Sequence, residues 1–147
     1  MTIFHEILKQ YAKSDEIFQK ETSKARSTRS RDKITVARDR NDQAYFVFLF
    51  SRLEAEIHLA ADSLISSRCT GKFWTQYRAW RVLKDIKLPL LSKAALLLDK
   101  DGPEWNEIKE YYKQRNKIAH GDLWTQTYAI QVVGLKMDSL VKKFSRK

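Results

Sequence analysis

Turn-forming residues are scarce in this chain, and their scarcity constrains the fold more than any other feature of the sequence. Only four glycines and two prolines occur in 147 residues. A domain built of β-strands needs many tight turns, and glycine and proline supply most of them. A few long helices with short connections need far fewer. Because this length supports one sizeable hydrophobic core, we predict a single domain over residues 1–147.

Apolar residues recur at helical spacing along most of the chain. One stripe covers residues 2–20, a second follows Asp42 as a predicted N-cap, and a third includes Trp74, Tyr77 and Trp80. A short apolar helix is predicted over residues 90–98, a longer one over 103–120, and a last one from 122 to about 144. Gly121 suits the position just after a helix end. The predicted fold is all-α, a bundle of about five helices.

Positive charge dominates the composition, with 28 Lys and Arg against 18 Asp and Glu, a net charge of +10. Because like charges repel in a compact state, such an excess is typical of a protein with a polyanionic partner, of which nucleic acid is the commonest. An anionic membrane surface and a merely basic surface stay open on charge alone. Eight of the basic residues lie in the segment 20–40, which either contacts phosphates or, as we slightly prefer, forms a solvated surface.

Cysteine content and hydropathy exclude several classes of protein. Cys69 is its one cysteine, which excludes an intrachain disulfide and a thiol-based metal cluster. The longest apolar run, residues 44–50, is far shorter than the roughly 20 residues that span a bilayer, so we expect a cytoplasmic protein without a membrane partner. Glu54, His58 and Asp62 follow at four-residue steps, but surface helices often carry such rows, so we predict neither a metal site nor a cofactor.

The predicted helix over residues 103–120 carries the residues best suited to chemistry. On a helical wheel Arg115 falls near the middle of its apolar face, which is formed by Trp105, Ile108, Tyr111, Tyr112, Ile118 and Ala119. A guanidinium buried there needs an acidic partner, for which Glu54 and Glu56 are candidates, or a ligand phosphate, unless its stem extends to bring the charge into solvent; geometry alone does not separate these readings. Asn116 and His120 lie one turn apart, and histidine suits general acid or base work near neutral pH.

The sequence from Arg115 to Gly121 resembles the R-x4-H motif of the HEPN superfamily, including the common Asn after the Arg. Architecture similar to that family covers roughly residues 42–144, while the tight motif covers about seven residues. The resemblance implies a helical bundle that forms a homodimer, in which two motifs line one cleft. In one toxin subgroup of the family the motif continues as R-x4-H-x-Tyr, but Asp122 stands at the tyrosine position here. Regulation by modification of that tyrosine is therefore in doubt for this chain.

What the resemblance implies for function is a metal-independent RNA endonuclease, a toxin or antiviral defence effector held in check by an inhibitory protein partner. Arg115 would stabilise charge on the phosphate, His120 would transfer a proton, and Asn116 would position His120 or the phosphate. Further phosphate contacts are expected from basic residues on the predicted helices, namely Lys113, Lys117, Arg78 and Arg81.

Two other classes of function stay open from the sequence. The same cleft would serve a catalytically silent module that binds RNA, a nucleotide or a protein, or the Arg115 face would be the interface of a cationic dimeric scaffold. The aromatic residues Trp74, Tyr77 and Trp80 could stack on bases, but their helical spacing favours core packing. Cleavage of RNA in the presence of a chelator separates the nuclease from both alternatives.

Overall fold

Helices account for all the regular secondary structure in the part of the chain that is described. The computed structural model describes residues 2–70, 74–124 and 127–144, with side chains in the second range from Gln76 onward. Within these ranges there is no strand, and the helices are α1 (Ile3–Lys24), α2 (Thr28–Arg68), α3 (Trp74–Asp85), α4 (Leu90–Leu97), α5 (Pro103–Ala119) and α6 (Ile130–Phe144). The predicted all-α class is confirmed, with six helices rather than about five.

Helix α2 begins much earlier than the sequence pattern indicated. It has 41 residues and starts at Thr28, whereas we predicted a start at Asp42. Ser27 precedes it, and its hydroxyl oxygen accepts the N–H of Ser30 at 3.1 Å, which is an N-capping bond. The basic segment 20–40 is therefore helical except at residues 25–27, and most of its Lys and Arg side chains are exposed.

Polar contacts join α1 to the part of α2 just before and at Asp42, within the stretch that lacks an apolar stripe. Three pairs of side chains join the two helices: Tyr11 with Asp42, Ser14 with Asn41, and Arg38 with Asp15. Asp42 lies inside α2 and accepts a hydrogen bond from the Tyr11 hydroxyl at 3.0 Å. The predicted N-cap role of Asp42 is therefore wrong, because the carboxylate pairs across helices instead of with its own backbone.

The tertiary contacts divide into two compact units. The first comprises Met1–Ser51 and Lys113–Asp138, and the second comprises Arg52–Tyr112 and Ser139–Lys147. Helices α2, α5 and α6 each contribute residues to both units. The single domain expected over residues 1–147 stays a prediction.

An aromatic cluster lies in the core of the first unit. The ring of Phe46 stacks on Tyr128 at 5.2 Å between centroids and meets Trp124 edge-on at 5.9 Å. Trp124 is buried, and its indole N–H donates to Asp39 Oδ1 at 3.1 Å. Residues 122–124 and 127–129 are not helical and α6 begins at Ile130, so the predicted helix start at Asp122 is wrong.

The second unit is built around an apolar stripe on α2. Its buried members recur every four residues, at Leu53, Ile57, Ala61 and Ile65. Further buried residues of this unit come from α4, α5 and the end of α6: Leu90, Ala94, Leu97, Trp105, Ile108, Leu140 and Phe144. Among the helices described, none is both long enough and apolar enough to cross a membrane.

Candidate active site

The C-terminal end of α5 has the hydrogen bonds of a Schellman motif. Gly121 adopts a positive φ of 85°, and its N–H donates to the Ile118 carbonyl at 3.0 Å. The N–H of Asp122 donates to the Lys117 carbonyl at 2.9 Å. These two bonds satisfy carbonyls that a helix end otherwise leaves unpaired. The prediction that the helix stops at Gly121 is confirmed.

His120 occupies the last position before this glycine, and its backbone is held while its ring is exposed. Its N–H lies 3.0 Å from the Asn116 carbonyl oxygen and 3.1 Å from that of Lys117. The residue as a whole is exposed to solvent. A proton-transfer group that serves a large substrate needs this combination, because the ring must be reachable and its attachment point must stay in place.

Arg115 does not lie at the centre of the buried face of α5, contrary to the helical-wheel prediction. The buried residues are Trp105, Ile108, Tyr111 and Gln114, spaced three apart. Arg115 follows Gln114 on the flank and is half-buried. Two residues assigned to the apolar face, Tyr112 and Ile118, are only half-buried, and Ala119 is exposed. Arg115 as a residue is therefore partly exposed instead of enclosed in the core.

A hydrogen bond joins Arg115 to its neighbour Asn116. The guanidinium Nη1 donates to the Asn116 side-chain oxygen at 2.9 Å. Adjacent residues on a helix ordinarily point in different directions, so the bond restricts where the arginine fork can lie. Of the three predicted catalytic residues, Arg115 and Asn116 are joined side chain to side chain, while His120 is joined to Asn116 through the backbone.

The predicted phosphate-binding residues fall in two groups. Lys113 is exposed and Lys117 half-buried, and both flank Arg115 on α5 within the first unit. Arg78 and Arg81 are exposed on α3 in the second unit. The guanidinium of Arg81 lies 5.3 Å from the ring centroid of Tyr77 and donates to its hydroxyl at 3.2 Å.

For Glu54 and the aromatic residues of α3, the structure supports the predicted roles only in part or leaves them untested. Glu54 is half-buried on α2 and belongs to the second unit, so its pairing with Arg115 stays a prediction. Tyr77 and Trp80 are half-buried, so the core packing expected for them is incomplete. The side chain of Trp74 lies outside the described residues.

The row of Glu54, His58 and Asp62 does not assemble a metal site. The Asp62 carboxylate accepts a hydrogen bond from Lys93 Nζ at 2.6 Å. Across residues 2–70, 74–124 and 127–144, no three side chains of His, Cys, Asp or Glu lie close enough together to hold an ion.

A titratable cluster between α1 and α2 escaped the sequence analysis. Burial, followed by the bond to Asp42, raises the pKa of Tyr11 above its usual range. Burial also raises the pKa of Asp42, against the lowering effect of the Tyr11 hydrogen bond. The hydrogen bond to Asp15 raises the pKa of Arg38. The partners are separated by 23 to 31 residues, so no local pattern identifies them.

Comparison with known proteins finds no relative of this chain. No protein-family model, curated protein or solved structure matches the chain. A function must therefore be inferred from the residues at the end of α5 and from the motif they resemble.

Proposed function

We propose that this protein is a metal-independent RNA endonuclease of the HEPN type, with its active site at the C-terminal end of α5. One arrangement carries the proposal: Arg115 bonded to Asn116, one turn before the exposed His120. The R-x4-H resemblance supports the same assignment.

Each of the three side chains suits one task in phosphodiester cleavage. The planar fork of Arg115 matches the geometry of phosphate oxygens and stabilises charge that develops on them. His120 exchanges a proton with the reacting oxygens. Asn116 has its side-chain oxygen on Arg115, so we assign it as a positioning residue for the arginine rather than for the histidine.

The reaction proceeds through the substrate's own hydroxyl. The ribose 2′-oxygen attacks the adjacent phosphorus and loses its proton to a base while the bond to the 5′-oxygen breaks. The departing 5′-oxygen takes up a proton from an acid. The products are a 2′,3′-cyclic phosphate and a 5′-hydroxyl end, so atoms and protons balance without a metal ion or external water.

A second copy of the chain supplies what one copy lacks. Arg115 and His120 are five residues apart, which corresponds to roughly 140° around a helix and about 7.5 Å along it. One α5 therefore directs the two groups to different sides. A two-fold axis beside α5 would bring an arginine and a histidine from different copies around one phosphate, with one histidine as acid and the other as base. Light scattering that shows a monomer at tens of micromolar would count against this assembly.

The biological setting we propose is that of a toxin or antiviral defence effector with an inhibitory protein partner. A nuclease that needs only its own side chains is active wherever RNA is present, so the cell that makes it needs a means of restraint. This part of the proposal rests on the HEPN resemblance.

The first test uses mixed RNA incubated with the wild-type protein and EDTA. We expect cleavage, products with 2′,3′-cyclic or 3′-phosphate ends, and a loss of about 10²–10⁴-fold in rate for His120→Ala. RNA affinity should change little, because proton transfer acts mainly in the transition state. His5→Ala is the matched control, since it removes another exposed histidine and should leave the rate unchanged.

A double-mutant cycle tests the role given to Asn116. Asn116→Ala should lower the cleavage rate in the wild-type background and have little effect in an Arg115→Ala background, because Asn116 acts through the arginine. Equal effects in both backgrounds would show a separate role for Asn116. If the wild type binds RNA but never cuts it, the binding module is the correct reading. If His120→Ala retains full cleavage, the proposed mechanism is wrong.

A further inference from the structure

A pocket of about 470 Å³ lies within the second unit, away from the residues of the proposed active site along the chain. Its walls come from the later part of α2, the end of α3, the connection between α3 and α4, and α4 itself. This size falls within the roughly 300–1,000 Å³ of small-molecule sites. Every residue that lines it belongs to the second unit.

Positive charge converges on this pocket from three separate elements. Lys84 comes from α3, Lys87 from the connection to α4, and Lys93 from α4. The lining contains one carboxylate, Asp62, so three ammonium groups and one carboxylate leave two positive charges without a counter-charge in the lining. Bringing like charges together is unfavourable, and a bound anion relieves the repulsion.

The ion pair inside the pocket leaves the ammonium group suitably placed for a ligand. Lys93 Nζ lies 2.6 Å from Asp62 Oδ1, but the lysine side chain is 13% exposed whereas that of Asp62 is 60% exposed. The lysine thus lies mostly within the fold, while its partner is largely in water. Because the carboxylate is largely in water, its hold on the lysine is weakened by solvent, and an anion can compete with it for the ammonium group.

Apart from His58 and Ser66, the remaining lining residues are apolar. Ile65 is buried, Leu83 and Leu88 are half-buried, and Ile86 has 52% of its surface exposed at the edge of the pocket. An exposed isoleucine beside half-buried leucines offers an apolar surface that a ligand can cover. A ligand that fits this lining has an anionic head and an apolar body.

We propose that this pocket binds a phosphate monoester carried on a small apolar group. A phosphate dianion matches the two uncompensated positive charges, and its oxygens accept hydrogen bonds from several lysines at once. Lys84, Lys87 and Lys93 bind the head, and Ile86 and Leu88 cover the body. The site is independent of the proposed nuclease activity, so neither proposal depends on the other.

Calorimetric titration of the full chain with phenyl phosphate, inorganic phosphate and phenol tests the pocket. Phenyl phosphate should bind more tightly than inorganic phosphate, and phenol should show no saturable binding. Lys87→Gln should weaken phenyl phosphate about tenfold, as expected for the loss of one charge-assisted hydrogen bond. Ile86→Ser should weaken phenyl phosphate while leaving inorganic phosphate unchanged.

Lys100→Gln is the matched control, because Lys100 is an exposed lysine of the same unit outside the pocket. Equal weakening by Lys87→Gln and Lys100→Gln would overturn the proposal in favour of non-specific charge attraction. Absence of saturable phenyl phosphate binding, or equal binding of phenol, would also overturn it. Circular dichroism melts establish that each variant is folded.

The natural source of the monoester is resolved by competition against phenyl phosphate. Displacement by a 5′-phosphorylated dinucleotide, but not by the unphosphorylated one, assigns the pocket to the end of a nucleic-acid strand. Displacement by neither assigns it to a small free phosphate ester. Displacement by both would contradict recognition of a monoester.

Discussion

At the scale of single residues, the burial of the Asp42 carboxyl should make stability sensitive to pH. Asp42 is half-buried among polar neighbours, and burial raises the pKa of its carboxyl from the ordinary value of 3.8. The nearby carboxylates Asp15 and Asp39 raise this pKa further, while the Tyr11 hydrogen bond and the Arg38 guanidinium lower it. The folded chain therefore holds this proton at a pH where the unfolded chain has already released it.

The free energy of unfolding should respond in a defined direction. Where the folded state binds more protons than the unfolded state, stability falls as pH rises. The wild type should therefore lose stability relative to Asp42→Asn as pH rises from the ordinary pKa of the carboxyl through its raised pKa in the fold. Urea unfolding from about pH 3.5 to about pH 7 measures the difference.

Tyr11→Phe supplies the control for this prediction. It removes the bond that lowers the pKa of Asp42, so the pH range over which stability declines should extend upward. The loss of the hydrogen bond should also destabilise the protein by about 1 kcal/mol. A constant difference between wild type and Asp42→Asn at every pH would show that this carboxyl does not titrate differently on folding.

At the scale of elements, the end of α5 depends on the backbone conformation of Gly121. A Cβ added there would meet no atom within 4 Å, so a substitution is disfavoured by the φ of +85° and not by crowding. Gly121→Ala should destabilise the protein by about 1 kcal/mol, and Gly121→Asn by less, because Asn visits this region more readily.

The same pair of variants reports on the proposed active site. His120 precedes Gly121, so a helix end that frays in Gly121→Ala should lower the cleavage rate, and Gly121→Asn should recover much of it. Thermal melts and single-turnover cleavage on the same preparations measure both effects. A Gly121→Ala protein as stable as the wild type would mean that the positive φ at this residue carries no cost for other side chains.

At the scale of the whole molecule, the net charge of +10 should make RNA binding strongly dependent on salt. Two lysine or arginine pairs with the same four-residue spacing allow a matched comparison. Arg29 and Lys33 are exposed on the first turns of α2, and Lys113 and Lys117 flank Arg115 on α5. Both double substitutions to Gln remove two charges, but only the second removes them beside the proposed active site.

We expect the pair on α5 to bind phosphates and the pair on α2 to be solvated. For the double variant Lys113→Gln and Lys117→Gln, the slope of log affinity against log salt should decrease in magnitude by about 0.7 for each phosphate contact that is lost. For the double variant Arg29→Gln and Lys33→Gln, the slope should stay unchanged. Filter binding to single-stranded RNA over a range of salt concentrations measures both slopes. A larger decrease in slope for the α2 pair than for the α5 pair would place the RNA-binding surface at the start of α2.

Local features of the chain were predictable because their causes lie within a few residues. The all-α class follows from scarce turn residues and helical apolar spacing, and the end of α5 follows from a glycine that accepts a positive φ. The candidate site stays a prediction that rests on the R-x4-H resemblance, and its residues Arg115, Asn116 and His120 lie close together along the chain at the end of α5.

Long-range contacts account for what the sequence alone left undetermined. The part of α2 before Asp42 pairs with side chains of α1, the late start of α6 accompanies the hydrogen bond of Trp124 to Asp39, and the pocket in the second unit gathers lysines from three elements. In each case the partners are distant in sequence or compete with a plausible local role, as Asp42 does when it pairs with Tyr11 instead of capping a helix. The spacing of apolar residues shows which side chains share one face of a helix. Whether a side chain on that face is buried, and which side chain it pairs with, depends on the helix that packs against it, and only the tertiary structure determines that packing.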